Sequence, residues 1–260
     1  MMEARALAPF GTEIVNLNAA LASEAEIEAC RTALAVGGVL VLRDQSLDDD
    51  DFLGFLRRFG PTTFTVGETP VAHRPELNVV TNAGRTTPPR SSFHTDTSYV
   101  SEPPAFTALR AVAIPERGGA TEFANQYDAF ERLDAATRER LAGRRVLHRV
   151  SGLPDDVGGE TETWQPLFRR HPVSGRTALF LSTPARCVAI EGMEEDEARQ
   201  TVARLFEHSI SGPLYRHAWV PGDVVMWDNR CTLHRADHSN VEGERTLHRG
   251  MVAGERPLAA

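Results

Sequence analysis

The first sixty residues switch between helical and strand-like spacing of apolar positions. Ser23 and Glu26 form a capping-box pattern, and apolar residues follow them at helical spacing. The stretch "VGGVLVLRD" (36–44) then predicts a buried strand. The acidic run Asp48–Asp51 predicts a solvated helix N-terminus rather than a metal site, because carboxylates suit the helix dipole there and an apolar helix face follows, made by Phe52, Phe55, Leu56 and Phe59.

Short strands dominate the centre and the end of the chain. Residues 62–101 are rich in Thr, Pro, Gly, Asn and Arg, a composition typical of long loops and short strands. A strand is predicted at 105–114, and helices at 126–142 and 194–208. The last quarter predicts strands at "LYRHAWV" (214–220), "DVVMW" (223–227) and "RTLHRGMV" (245–252).

The order of these elements decides the fold class. Helices and strands do not alternate, so a doubly wound parallel sheet is disfavoured. The pattern favours a mixed α/β chain with a mainly β core, a jelly-roll (cupin-like) barrel with flanking helices. We expect residues 1–260 to form a single domain of this kind.

Charge and composition narrow the function. The chain of 260 residues has a net charge of −8 and no basic run, which argues against nucleic-acid binding. No apolar stretch approaches the ~18 residues of a membrane span, and the N-terminus does not resemble a secretory signal. Three distant cysteines without a CxxC pair fit a reducing compartment. We therefore predict a cytoplasmic protein, and the sequence leaves open whether it is a homo-oligomer.

The segment "SSFHTDTSYV" (91–100) carries the first candidate chemistry. On an extended strand His94 and Asp96 would share one face, as two ligands of a metal ion would need. An exposed polar turn is the alternative for so short a motif. His234, in "WDNRCTLHRAD" (227–237), is a candidate third ligand. Two imidazoles and one carboxylate on one face are typical of non-haem iron(II) oxygenases.

Two arginines follow His234 in the last predicted strand. Arg245 and Arg249 are four residues apart, so on a strand they share a face and point into the barrel. The guanidinium fork suits two-point binding of carboxylates. The pair therefore indicates two anionic groups, or one anion and one acidic partner.

These motifs together resemble the taurine dioxygenase (TauD/TfdA) family of iron(II)- and 2-oxoglutarate-dependent dioxygenases. The resemblance extends from about Gly11 to Pro257 and includes "GGATEFANQY" (118–127) and "HPVSGRTALFLS" (171–182). It implies a double-stranded β-helix, iron(II) as cofactor, and 2-oxoglutarate and dioxygen as co-substrates. The implied metal ligands are His94, Asp96 and His234.

The resemblance also implies roles for other residues. Arg245 and Thr121 would bind the distal carboxylate of 2-oxoglutarate, and Arg249 would hold the anionic group of a small organic substrate. Oxidation of the substrate would release succinate and carbon dioxide. Further candidate substrate contacts are His73, which is equally well a bystander, and Arg90, Phe93 and Tyr99.

Several alternatives stay open at this point. Phe93 replaces a tryptophan that is common in the family, and Arg90 stands where taurine dioxygenases have an amide, which argues against taurine itself. Sulfonates, aryloxy or other carboxylates and modified amino acids all fit. The chain could instead be a specialised-metabolism hydroxylase or desaturase of an amino-acid-derived acid. The alternatives of another class are a zinc hydrolase and a non-catalytic jelly-roll binding module.

Overall fold

A computed structural model describes residues 2–65, 67–84, 91–150 and 158–260. The helices are α1 (Glu24–Gly37), α2 (Asp49–Arg57), α3 (Gln126–Glu131), α4 (Ala135–Leu141) and α5 (Glu195–Ile210), with a 3-10 turn at Ala19–Leu21. The strands are β1 (Glu3–Ala6), β2 (Thr12–Val15), β3 (Val39–Leu42), β4 (Thr62–Thr63), β5 (Pro70–Val71), β6 (Arg74–Thr81), β7 (Phe106–Ala113), β8 (Thr121–Asn125), β9 (Arg145–Arg149), β10 (Glu162–Pro166), β11 (Phe168–Arg170), β12 (Thr177–Leu179), β13 (Cys187–Ile190), β14 (Leu214–His217), β15 (Val224–Asp228), β16 (Thr232–Ala236), β17 (Thr246–Val252) and β18 (Leu258–Ala259).

The predicted helix starts are confirmed by their caps. The hydroxyl of Ser23 accepts a hydrogen bond from the backbone of Glu26, whose carboxylate accepts one from the backbone of Ser23. Asp48 caps α2 by accepting from the N–H of Asp51 at 2.9 Å, so the acidic run is a helix N-terminus. The single helix predicted at 126–142 is wrong: the chain forms α3 and α4, because Asp134 starts a new helix by capping the N–H of Thr137.

Two facing sheets form the core, as predicted for a jelly roll. The larger sheet has the order β1-β2-β3-β15-β7-β17-β6-β5, with β4 also paired to β17, and the smaller has the order β14-β8-β16. Apart from the parallel pair β2–β3, the strand pairings of the described residues within these sheets are antiparallel. Apolar side chains of both sheets meet between them, among them Leu109, Phe123, Trp227 and Leu247. The fold is a double-stranded β-helix with flanking helices.

The outer face of the larger sheet is covered by α1 and α2. Their buried apolar residues pack against Leu40, Leu77, Ala108 and Met226, which point away from the space between the sheets. Strict alternation along β6, β7 and β17 therefore leaves the residues in between on the inner face. That inner face carries the candidate site. No helix among the described residues is long and apolar enough to span a membrane.

Candidate active site

Backbone pairing brings the two candidate histidines together. His94 forms an isolated antiparallel bridge with His234 of β16, with reciprocal N–H···O hydrogen bonds of 3.0 Å. The two imidazole rings lie with their centroids 4.2 Å apart. A residue pair separated by more than a hundred positions in the sequence is thus fixed by two main-chain hydrogen bonds.

Asp96 joins the histidines through a turn rather than a strand. The expectation of an extended strand at 94–96 is wrong, because the chain turns directly after the His94 bridge and Thr97 adopts a left-handed conformation with φ +44°. The predicted convergence is nevertheless present. Oδ1 of Asp96 lies 3.6 Å from Nε2 of His94, and Oδ2 lies 3.7 Å from Nε2 of His234.

These separations fit a shared cation better than hydrogen bonds. They exceed the ~3.2 Å limit of good N–H···O hydrogen bonds, whereas ligand atoms that each lie about 2 Å from one ion are roughly 3–4 Å apart. The carbonyl of Ser92 accepts from Nδ1 of His94 at 2.9 Å, which leaves the Nε2 lone pair of His94 free for a metal. Among the described residues Nδ1 of His234 has no partner. His94, Asp96 and His234 could therefore hold iron(II).

Burial tunes the charge of two of these groups. Burial lowers the pKa of His234 to about 3, so its imidazole is neutral at neutral pH and can donate a lone pair to a metal. Burial opposes ionisation of Asp96, but the neighbouring His234, His94 and Arg249 together hold its pKa well below the ordinary value. The site thus offers an ionised carboxylate from Asp96 and a neutral imidazole from His234, and ligands of these two kinds suit iron(II).

A chain of buried hydrogen bonds ends on Asp96. Trp227 donates its indole N–H to the side-chain oxygen of Asn229 at 3.0 Å, and Asn229 donates its amide to the hydroxyl of Thr107 at 2.8 Å. Thr107 donates in turn to Oδ2 of Asp96 at 2.7 Å. Every donor in the chain points towards the carboxylate, so the chain both fixes its rotamer and stabilises its charge.

Arg245 and Thr121 form a second polar centre. The buried guanidinium of Arg245 donates to the carbonyl of Gly119 at 2.7 Å and to the hydroxyl of Thr121 at 3.3 Å. Thr121 also accepts from Trp219 at 3.0 Å, so its own hydroxyl hydrogen is free to donate elsewhere. Arg245 forms no ion pair with a carboxylate of the described residues, and burial lowers its pKa to about 10. A buried guanidinium without an ion-pair partner in the described part of the chain is costly, which favours the binding of an anionic ligand here.

The glycine pair before Thr121 makes room for that arginine. Gly119 has φ +72°, which favours glycine, and a Cβ there would lie 2.8 Å from Cδ of Arg245. Gly118 has φ +75°, and a Cβ there would lie 2.6 Å from the carbonyl oxygen of Asn240. The "GGAT" segment therefore permits the close approach of Arg245 to Thr121.

One cavity connects the two centres. It has a volume of about 100 Å³ and is lined by Val80, His94, Leu109, Thr121, Trp227, His234, Ala236, Arg245 and Arg249. Arg245, directly before β17, and Arg249, within β17, both line it, so the predicted common face of the two arginines is confirmed. An anion bound between Arg245 and Thr121 would share this cavity with the two histidines.

Arg249 lies closer to the candidate metal site than Arg245 and has an acidic partner. Its Nη1 is 3.9 Å from Oδ1 of Asp96, and its Nη2 is 3.0 Å from Oε1 of Glu68. Its Nε is buried without a partner among the described residues. Glu68 is 40 % exposed, and its N–H donates to the carbonyl of Thr65. Sequence reasoning did not find Glu68, because nothing near it in the sequence indicates the pairing.

The remaining candidate contacts lie at different distances from this cavity. Phe93 is buried in a separate apolar cluster and packs under the guanidinium of Arg235. Tyr99 borders a neighbouring cavity of about 160 Å³, which it shares with Thr97 and Met251. His73 is exposed in the turn between β5 and β6. Arg90 lies outside the described residues. Substrate contact by these four residues stays a prediction.

A second group of potential ligands is committed to structure. His171, Asp228 and Cys231 are buried close together. Nε2 of His171 donates to Asp228 at 3.0 Å, and its Nδ1 accepts from two backbone N–H groups. Arg230 adds two further hydrogen bonds to Asp228. Because both ring nitrogens and the carboxylate are already used, this cluster anchors the turn that carries Asn229.

The chain matches the model of the family described as "Taurine catabolism dioxygenase TauD, TfdA family" over residues 3–251. It is 32 % identical to the alpha-ketoglutarate-dependent 2,4-dichlorophenoxyacetate dioxygenase of Burkholderia sp. (strain RASC), covering 90 % of this chain and 88 % of that protein. It is 30 % identical to the alpha-ketoglutarate-dependent sulfate ester dioxygenase of Pseudomonas putida, covering 90 % and 83 %.

A solved structure that contains a metal and an organic ligand agrees in fold. The crystal structure of AAD-2 in complex with Mn(II) and N-oxalylglycine superposes with a TM-score of 0.86 at 27 % identity, covering 99 % of each chain. The family match spans nearly the whole chain, and the candidate ligands and the arginine cavity lie within it. The zinc hydrolase and the non-catalytic binding module are thereby excluded. The chain belongs to the TauD/TfdA family and is an iron(II)- and 2-oxoglutarate-dependent dioxygenase, which uses dioxygen as its other co-substrate.

Proposed function

We propose that this dioxygenase oxidises a small organic acid whose anionic group binds Arg249, with iron(II) held by His94, Asp96 and His234. The observation that carries the proposal is the unequal environment of Arg245 and Arg249. Arg245 has no acidic partner among the described residues, whereas Arg249 lies 3.9 Å from the candidate ligand Asp96 and forms an ion pair with the half-exposed Glu68. Two anions of different origin fit these two positions.

The first anion is the distal carboxylate of 2-oxoglutarate. Arg245 offers a charge-assisted donor, and Thr121 has a free hydroxyl hydrogen because its oxygen already accepts from Trp219 and Arg245. The cavity leads from this pair to His94 and His234. The co-substrate would therefore be held at its far end by two donors while its 2-oxo acid end reaches the metal ligands.

The second anion is the substrate. Arg249 borders the same cavity, and its Nε has no partner among the described residues. A carboxylate, sulfonate or sulfate could take the place of Glu68 on the guanidinium, which would leave the exposed glutamate to solvent. The relatives support this class, since one is named for a phenoxyacetate and another for sulfate esters. An amino-acid-derived acid also fits the site.

The side chains of the site would have different roles in the reaction. Iron(II), when bound, supplies the redox chemistry by which 2-oxoglutarate and dioxygen become succinate and carbon dioxide while one oxygen atom enters the substrate C–H bond. Asp96 stays ionised, and Thr107 holds its rotamer. Burial keeps His234 neutral. Arg245 and Arg249 orient the two organic molecules, so that the substrate carbon near the anion lies next to the metal site.

The proposal is tested in two steps. Iron(II) and 2-oxoglutarate are added to the protein without oxygen, and a weak visible charge-transfer band is expected. Succinate release is then measured with oxygen for phenoxyacetate, (S)-2-phenoxypropionate, alkyl sulfates, alkylsulfonates and N-acyl amino acids. At least one acid should raise succinate release above the rate without substrate, and its methyl ester should not. Equal turnover of acid and ester would contradict anion binding by Arg249.

A further inference from the structure

Asn78 is a buried polar side chain on strand β6, directly opposite Arg249 of β17. It is 1 % exposed, yet neither its Nδ2 nor its Oδ1 has a hydrogen-bond partner in the part of the chain that the structure describes. Among the described residues it is the one side-chain amide with both polar atoms buried and unpartnered. An apolar residue at this position would avoid the free-energy cost of burying an unpaired amide. A hydrogen bond to a bound ligand would explain why an amide is present.

Strand pairing puts this amide beside Arg249. Asn78 is the direct antiparallel partner of Arg249 on β17, and residues in that relation have side chains on the same face with Cβ atoms about 5 Å apart. Its neighbours Leu77 and Val79 pack on the helix-covered face of the sheet, whereas Val80 packs between the sheets and lines the cavity. Asn78 therefore points to the inner side with Arg249.

Two buried donors lie on the same face of the β6–β17 pair. Nε of Arg249 and Nδ2 of Asn78 are both buried without a partner among the described residues. An anion on the guanidinium would satisfy the first donor. The second needs an acceptor that lies within a few ångströms of that anion, hence about two or three bonds from it in the same molecule.

We propose that Asn78 is a specificity-determining residue, whose carboxamide donates to an uncharged oxygen placed next to the anionic group of the substrate. The inference rests on the proposed function, since Arg249 must hold that anion. The hydrogen bond from Asn78 would favour small organic acids with an ether, ester or hydroxyl oxygen adjacent to the anion. Plain aryl- or alkyl-substituted acids of the same shape would leave the amide unpaired and bind more weakly.

Matched pairs of acids isolate this contact. Phenoxyacetate and 3-phenylpropionate differ by one ether oxygen in place of a methylene, and so do hexyl sulfate and heptane-1-sulfonate. We expect the enzyme to prefer the oxygen-bearing acid of the pair it accepts by about tenfold in kcat/KM, the value of one hydrogen bond. Asn78→Leu, which keeps the size of the side chain, should abolish that preference and raise Tm.

Controls separate this role from a structural one. Val79→Leu alters the opposite face of the same strand and should keep the preference. The charge-transfer band with iron(II) and 2-oxoglutarate should form in Asn78→Leu at the parental 2-oxoglutarate concentration. If Asn78→Leu does not fold, Asn78→Val, with a β-branched side chain suited to a strand, takes its place in the same comparison.

Each outcome decides between the two proposals. An unchanged preference in the Asn78 variants, or no preference in the parent enzyme, would overturn the inference while the anion-binding role of Arg249 stands. If the charge-transfer band forms but neither these four acids nor any other acid of the first screen raises succinate release, binding of acids at Arg249 is wrong and the inference is wrong with it. A preference lost in the Asn78 variants alone supports both.

Discussion

Thr107 donates its hydroxyl hydrogen to Oδ2 of Asp96 across 2.7 Å, in the buried wall of the candidate iron site. The same hydroxyl accepts from Asn229, so it cannot rotate away without leaving two buried groups unpaired. Thr107 thus occupies Oδ2 with a hydrogen bond, and Oδ1 of Asp96 is the oxygen more available to a metal ion.

The first prediction concerns this contact. Thr107→Val should weaken iron(II) binding by roughly 10- to 100-fold, the usual effect of removing a partner of a ligand, whereas Thr107→Ser should bind almost as the parent does. Manganese(II) titration by calorimetry and the anaerobic charge-transfer band measure the change. Thr201→Val, which removes a buried hydroxyl on α5, is the matched control. Parental affinity in Thr107→Val would show that Asp96 needs no such support.

The second prediction separates the two arginines. Arg245→Gln should raise the 2-oxoglutarate concentration needed for half-maximal band formation by about 10- to 100-fold, because a charge-assisted contact of about 1.5–3 kcal/mol is lost. Arg249→Gln should show the parental 2-oxoglutarate requirement and lose substrate-stimulated succinate release. Equal 2-oxoglutarate dependence in Arg245→Gln and the parent would place the co-substrate elsewhere.

The third prediction follows from the ion pair of Glu68 with Arg249. Glu68→Gln should lower KM for an accepted acid roughly two- to fivefold, because a half-exposed ion pair contributes up to about 1 kcal/mol and the substrate no longer competes with it. Glu76→Gln removes an equally exposed glutamate from its pair with Arg57 and should change KM little. A raised KM in Glu68→Gln would mean that the glutamate contacts the substrate directly.

The fourth prediction is the response of stability to acid. His148 is buried against Phe180 and Ser98, and burial lowers its pKa from the ordinary 6.5 to about 3. The unfolded chain therefore binds a proton that the folded chain does not, and the stability contribution of His148 is lost as pH falls from about 6.5 towards 3. The slope for one such group is about 1.4 kcal/mol per pH unit.

Urea unfolding between pH 7 and pH 4 tests that prediction. His148→Phe should lower the slope of the unfolding free energy against pH by an amount that corresponds to at most one proton taken up on unfolding. The substitution keeps an aromatic ring but removes the group that titrates. His73→Gln, at an exposed turn, is the control for the loss of one imidazole. The same slope in His148→Phe and the parent would assign the acid sensitivity to other groups.

The sequence predicted which residues form the site better than it predicted the backbone conformation around them. His94, Asp96, His234 and Arg245 were found because each lies in a short motif whose residue types match one chemistry. The extended strand at 94–96 was not found in the structure, since the alternation rule cannot distinguish a strand from a bridge followed by a tight turn. The interruption between α3 and α4 was missed for a similar reason: Asp134 looks like one more polar position on a helix until its side chain caps the next turn.

The supporting residues were missed because strand pairing, not sequence, brings them to the site. Asn229 is 122 positions from Thr107, and Asn78 meets Arg249 across β6 and β17. Glu68 reaches Arg249 from a loop. A histidine-carboxylate motif is visible in one line of sequence, but a partner across a sheet becomes visible only when the register is known.

Strand β17 also fixes the distance between the two arginines that we propose bind the organic molecules. Arg245 directly precedes this strand and Arg249 lies within it, both line the same cavity, and β6 and β7 hold the strand by hydrogen bonds on both sides. The separation of the two arginines is therefore fixed by the backbone. An acid anchored at Arg249 then presents to the metal site the carbon that lies at a given reach from its anion, whatever group follows beyond. With the proposed anchoring by Arg249, lengthening the acid by one methylene next to the anion would move the oxidation to the neighbouring carbon, so we expect the oxidised position to be set by its distance from the charged end of the molecule.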